Sequence, residues 1–349
     1  MATLALTPLA GRLARSLGVL DQPAANKYHQ QATPYLGGLA VAVGLVLVGG
    51  VAAGAQGQLF TVVLGGLALA IVGLLDDRFG VGPRVKLAVE VAAGIALWLS
   101  GVGAGLFGVE ALDMALTVLW VVGITNAVNL LDNMDGLCAG VTAIAAGTFF
   151  AIAAIEGHYF VAALALAVAG SSLGFLRHNF PPARIFLGDA GTLLLGFLLA
   201  ALGLKLDLVG ENGFVRSAVP ILVLGVPVFD TVLVVIARLL GGRRIYVGNT
   251  DHSSHRLARL GLSPRRVALS VYGAQVILSG LALVLLYRSM PAGLAVVGAS
   301  VLAALGALRF FLGVESRLQD GTEETVVLTE EPQPLGVVRS DAPVEYEAQ

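Results

Sequence analysis

GLLDDRFGVGPRVKL, residues 73–87, closes one long apolar segment, passes through paired carboxylates and a short basic loop, and opens another apolar segment. That alternation runs through the whole chain. A helix crosses ~30 Å of hydrocarbon with ~20 apolar residues. Ten such spans fall at 35–56, 58–75, 87–101, 113–131, 136–155, 158–176, 189–206, 215–240, 267–287 and 290–312. A shorter segment at 2–18 contains Arg12 and Arg15 and resembles half a span or a weak signal-like stretch. Of 349 residues, 57% are hydrophobic and 13% charged, where soluble domains carry roughly 25% charge. The expected fold class is an all-α polytopic integral membrane protein, a bundle of 10–11 transmembrane helices, with no soluble module between spans and no internal repeat.

Lys and Arg near span ends are retained on the cytoplasmic side. Eighteen of the 21 basic residues fall at one face, and the other carries Lys205, Arg216 and Arg288. Asp76, Asp77, Asp132, Asp135 and Asp189 all fall at the basic face, which is therefore expected to be cytoplasmic. Charged groups near hydrocarbon are costly and mark functional sites. Residues 1–312 form the expected membrane domain; residues 313–349, with two basic and nine acidic residues, are expected to be a disordered cytoplasmic tail. The single cysteine, Cys138, excludes an intramolecular disulfide and is expected to be inert packing.

In residues 73–87 the carboxylates of Asp76 and Asp77 point about 100° apart on a helix, so one is expected to meet a ligand while the other organises the loop. Acidic residues at a helix C-terminus oppose the macrodipole, and Lys86 at the start of the next span does so too, which suits an anionic ligand. The alternative is a solvated helix end with a charge pair. In NAVNLLDNMDGLCAG, residues 126–140, Asn126, Asn129, Asp132 and Asp135 recur three apart, so they are expected to share one helical face. Oxygen-rich donors suit Mg²⁺; interhelical hydrogen bonding is the competing reading. DNMDG has no Glu at the twelfth loop position, which excludes an EF-hand.

NFPPARIFLGDAGTLLLGF, residues 179–197, places Asp189 near the first turn of a span between Gly188 and Gly191. Close approach of a phosphate and simple helix capping both suit it. RRIYVGNTDHSSHRLARLGLSPRR, residues 243–266, gathers His252, His255, Arg243, Arg244, Arg256 and Arg259, donors suited to a diphosphate or to anionic lipid. Asp230 is expected to pair with a basic group at the same end.

These segments resemble the polyprenyl-phosphate N-acetylhexosamine-1-phosphate transferase superfamily, which includes the phospho-MurNAc-pentapeptide translocase. The resemblance covers about residues 18–312 and is carried by LDQPAANKYHQQATPYLGG, GLLDDRF, NAVNLLDNMDG, PPARIFLGDAG and DHSSHRL, in family order. It implies an Mg²⁺-dependent reaction, with Mn²⁺ as a substitute, between a UDP-N-acetylhexosamine and undecaprenyl phosphate in the plasma membrane. The products are undecaprenyl-diphosphate-sugar and UMP. It also implies that Asn129 and Asp189 form the metal and diphosphate centre, that Asp135 reads the uracil end, and that Asp76 and Asp77 position the lipid phosphate. Lys86 and His255 match phosphate-contacting positions and Asp132 a required acidic one. Lys27 and His29 match a loop lining the site. Asn126, His252 and Arg256 complete the expected substrate-binding set. A dimer is a family-level expectation, and no nucleic-acid partner is expected. The family's H-x-H-H arrangement reads here as His252, Ser253, Ser254, His255, so Ser254 replaces one histidine, which argues against the pentapeptide translocase.

The leading expectation is transfer of GlcNAc-1-phosphate at the start of a surface glycan or wall polymer. Another UDP-N-acetylhexosamine or UDP-MurNAc-pentapeptide is the alternative donor. A secondary transporter is the rival of another class, but transport predicts acids near the bilayer midplane and repeated halves.

Overall fold

The computed structural model describes residues 1–22, 32–53, 57–206, 217–244 and 250–329. It is a helical bundle with seven helices long and apolar enough to cross a membrane among the described residues, which bears out the all-α polytopic reading. In chain order these elements are α1 Ala2–Leu17, α2 Gly37–Ala53, α3 Gly57–Phe79, α4 Pro83–Leu99, α5 Glu110–Leu131, α6 Leu137–Ile155, α7 Tyr159–Asn179 and α8 Gly188–Lys205. Then follow α9 Ala218–Val223, α10 Gly225–Leu240, α11 Ser253–Arg259, α12 Pro264–Leu286 and α13 Met290–Thr329.

α8 is the central post. It is apolar on every face and buried along nearly its whole length, as expected of a helix surrounded by other helices. α3 and α5 flank it most closely, and α2, α6 and α7 complete the ring. At Gly73 an added Cβ would run into the backbone of Asp189 and Ala190, and at Gly38 into Gly191. Missing side chains at these positions let helix backbones touch in a setting where water does not drive helices together.

The α3–α4 turn follows from its sequence. Gly80, at φ 68°, takes the left-handed conformation that stops α3, and its amide donates to the Asp76 carbonyl at 2.9 Å. Pro83 then opens α4, where a missing N–H costs nothing. The turn is so short that Lys86, in the first turn of α4, comes back beside Asp76.

Two features depart from the sequence reading. The span expected over 215–240 is divided at Leu224, between α9 and α10; the buried Gln275 on α12 donates to the Val223 carbonyl there at 2.7 Å and satisfies the broken ladder. A two-residue antiparallel ladder pairs β1 Leu20–Asp21 with β2 Thr33–Pro34, and the Phe186 amide donates to Pro34 O at 2.8 Å. α13 runs through Thr329, and residues 330–349 lie outside the described residues.

Candidate active site

Lys86 is the hub of a cluster drawn from four helices. Its ammonium donates to Asp76 Oδ2 at 2.9 Å and to Asp189 Oδ2 at 2.7 Å. From α5, Asn129 Nδ2 donates to Asp189 Oδ1 at 2.9 Å and to the Thr192 hydroxyl at 2.7 Å. Asp77, one residue after Asp76, turns the other way and accepts the amides of Asp189 and Ala190 at 2.8 and 3.1 Å. The pair thus divides its labour: Asp76 meets Lys86, and Asp77 holds the first turn of α8.

The expected stripe of Asn126, Asn129, Asp132 and Asp135 is only partly helical. α5 ends at Leu131, so Asp132 is its C-cap and Asp135 lies in the turn before α6. Asn126 departs from the cluster and donates to Glu90 Oε2 at 2.5 Å, a buried carboxylate one turn beyond Lys86 on α4. Glu90 has no counterpart among the residues singled out from sequence, because one acid inside a long apolar run reads as part of a span.

Beside the cluster lies a cavity of about 1230 Å³, larger than the ~300–1,000 Å³ of most small-ligand sites. Asp132, Asp135 and His255 line it, joined by Tyr35, Asn133 and the arginines Arg15, Arg184 and Arg265. These last five were not singled out from sequence. Arg184 and Arg265 do sit inside or next to quoted motifs, which was the available signal. Asp135 Oδ2 also accepts the Ala183 amide at 2.8 Å and so fixes the segment after the Pro181–Pro182 pair. Burial and then the carboxylates of Asp189, Asp77 and Asp135 push the Asp132 carboxyl up to about 7. Burial and the facing carboxylates of Asp77, Asp189 and Asp132 hold the Tyr35 phenol protonated.

The histidine segment is held from behind. Asp230, buried on α10, accepts His252 Nδ1 at 2.7 Å and the Ser253 amide and hydroxyl at 2.8 and 2.6 Å. His252 is thereby engaged away from the cavity, whereas His255 faces it. Burial first, then the neighbouring His252, pull the His255 imidazole down to about 4, so it is neutral at pH 7. Ser254, where the resemblance implies a histidine, donates to Asn133 Oδ1 at 2.5 Å and ties α11 to the α5–α6 turn. Arg256 is fully buried, donating to Asp251 O and Phe311 O at 2.9 and 2.7 Å, and does not line the cavity. The expected pairing of Asp230 is with His252; the basic end of α10 is served by Asp251, which binds Arg238 and Arg243. Lys27 and His29 lie outside the described residues.

Among the described residues no group of three or more His, Cys, Asp or Glu side chains is arranged to hold a metal. The donor set nevertheless fits Mg²⁺, which takes one or two protein oxygens and completes its shell with water and substrate phosphate. The Asp189 carboxylate and the Asn129 carboxamide would supply the oxygens; here the amide turns its Nδ2, not its Oδ1, toward Asp189. Asp76 and Asp189 place two carboxyl groups on one ammonium, that of Lys86.

Residues 59–207 match the family described as glycosyl transferase family 4. The chain is 37% identical over 296 residues to the probable undecaprenyl-phosphate N-acetylglucosaminyl 1-phosphate transferase of Bacillus subtilis, covering 82% of each chain. It is 32% identical over 215 residues to the decaprenyl-phosphate N-acetylglucosaminephosphotransferase of Mycobacterium leprae, covering 56% of this chain and 54% of that one. To the phospho-N-acetylmuramoyl-pentapeptide-transferase of Lactiplantibacillus plantarum it is 37% identical over 156 residues, 43% of this chain and 45% of that one.

Proposed function

This chain belongs to the polyprenyl-phosphate N-acetylhexosamine-1-phosphate transferase superfamily, and from that we propose that it transfers GlcNAc-1-phosphate from UDP-GlcNAc to undecaprenyl phosphate. The observation that carries the reading is the Asp76–Lys86–Asp189–Asn129 cluster beside a cavity of nucleotide-sugar size. The long similarity to the Bacillus subtilis protein supports GlcNAc and undecaprenyl phosphate over the alternatives.

In the reaction an oxygen of the lipid phosphate attacks the sugar-bearing phosphorus. The bond from that phosphorus to the bridging oxygen breaks, and UMP leaves with the electron pair. The lipid phosphate is already largely ionised at neutral pH, so no strong base is needed. Asp76 orients Lys86, whose ammonium offsets charge where two anions meet. Asp77 fixes the first turn of α8, and with it the direction of the Asp189 carboxylate. Asp189 and Asn129 would hold Mg²⁺, which supplies charge neutralisation for the diphosphate. Arg15, Arg184 and Arg265 offer donors to the nucleotide diphosphate in the cavity. Neutral His255 contributes a hydrogen bond rather than a charge.

By the positive-inside rule the cluster faces the cytoplasm, since the basic residues gather at its end of the bundle. A donor labelled in the sugar-bearing phosphate tests the reading. Purified protein with undecaprenyl phosphate and Mg²⁺ should move the label into extractable lipid; label that stays in the aqueous phase with every UDP-N-acetylhexosamine would refute it.

A further inference from the structure

A second recess, of about 410 Å³, opens at the far end of the bundle from the carboxylate cluster, between α3, α7 and α8. Three helix ends meet there. Gln58 lies in the first turn of α3, His158 is the N-cap of α7, and Lys205 is the last residue of α8. The positive ends of two long helix dipoles therefore share the recess with an ammonium group, which sits at the negative end of α8. Lys205 Nζ donates to Gln58 Oε1 at 2.6 Å, a neutral partner, and Gln58 Nε2 donates in turn to Gly101 O at 3.4 Å. Among the described residues that line the recess none carries a carboxylate. A half-buried cation with a neutral partner retains much of its desolvation cost.

The walls are of the opposite character. Leu59, Val161 and Leu164, each half-buried, line the recess over the fully buried Val62 and Leu202. Tyr159 and Phe160 stand at its edge, 76% and 46% exposed, where aromatic rings anchor a protein at headgroup depth. We propose that this recess binds the phosphodiester headgroup of an anionic phospholipid, with Lys205 as the charge partner and an acyl chain lying along Leu59, Val161 and Leu164. A soluble anion would use the charge and leave the apolar wall wet. A zwitterionic lipid would bring its own cation toward Lys205 and two positive helix ends. The site is independent of the transfer reaction and lies at the opposite membrane face.

Native mass spectrometry of the detergent-purified full chain tests this, titrating phosphatidylglycerol, phosphatidylcholine and inorganic phosphate. Wild-type protein should retain phosphatidylglycerol about tenfold better than phosphatidylcholine, and Lys205→Gln should lose about that factor, the effect of one charge-assisted hydrogen bond. Lys205→Gln keeps a donor for Gln58, and Lys205→Arg should keep both fold and lipid preference; a single symmetric size-exclusion peak establishes folding of each. Equal retention of the two lipids, or no change in folded Lys205→Gln, would overturn the proposal. Displacement of phosphatidylglycerol by an equal concentration of inorganic phosphate would also overturn it, by assigning the recess to a soluble anion.

Discussion

Asp77 reaches from the last turns of α3 to the backbone amide of Asp189 at 2.8 Å, so one carboxylate of the cluster sets the position of another. The same carboxylate takes the Ala190 amide, satisfying two of the four N–H groups that a helix start leaves open. Asp77→Ala should therefore cost about 1–3 kcal/mol of stability and lower UMP release by more than about tenfold. Thermal denaturation and an activity assay on the same preparation check both halves.

Contact between α3 and α8 at Gly73 has a sharper consequence. A Cβ there meets the backbone of Asp189 and Ala190, which cannot swing aside as a flexible side chain would. Gly73→Ala should push the helices apart and break the Asp77 bonds, costing about 1–3 kcal/mol as overpacking does. Activity should fall about a hundredfold or more, because misplacement by ~1 Å has that effect on oriented groups. An Ala substitution at Gly57, where nothing lies within 4 Å, should leave activity unchanged.

The raised carboxyl of Asp132 gives a signed pH dependence. In the fold it titrates at about 7, against about 3.9 in an unfolded chain. Between those values the folded state binds a proton that the unfolded state has lost, so this group's contribution is present below pH ~3.9 and is lost as pH rises through 7. Asp132→Asn removes the dependence. In chelator, the variant should gain stability relative to wild type as pH rises from 5 to 8, and the two curves should converge toward pH 4. A constant difference across the range would contradict the linkage.

Glu90 supports Asn126 from α4. Glu90→Gln keeps an acceptor for the Asn126 amide and should stay within about 0.5 kcal/mol of wild type. Glu90→Ala leaves that half-buried amide with one partner fewer and should cost about 1 kcal/mol, read as a lower denaturation midpoint.

The residues that meet at the cluster were legible in the sequence because each sits at a span end. Topology alone brings Asp76, Lys86, Asn129 and Asp189 to one plane, and Gly80 with Pro83 announces the turn that folds Lys86 back. What was not legible depends on contacts between distant segments. The direction of Asp77, the closure of His252 on Asp230, and the burial of Arg256 under Phe311 are set by packing, which motif spacing does not encode. The break at Leu224 was signalled by Pro220, Gly225 and Pro227, yet hydropathy averaged over the window hid it. The two-residue ladder of β1 and β2 is too short to show any alternation. Asp132 and Asp135 kept the expected spacing but not the expected helix: α5 ends at Leu131, Asp132 is its C-cap, and Gly136, at φ 77°, is the N-cap from which α6 starts.

Lipid-dependent UMP release tests the central claim most directly. Purified wild-type protein and Asp189→Asn would each be given UDP-GlcNAc and Mg²⁺, with and without undecaprenyl phosphate. UMP should appear only with the wild type and only when the lipid is present, and fall at least about a hundredfold in the variant, as when an oriented electrostatic group is removed. UMP release at the wild-type rate from folded Asp189→Asn, or none from folded wild type with any UDP-N-acetylhexosamine, would contradict the account.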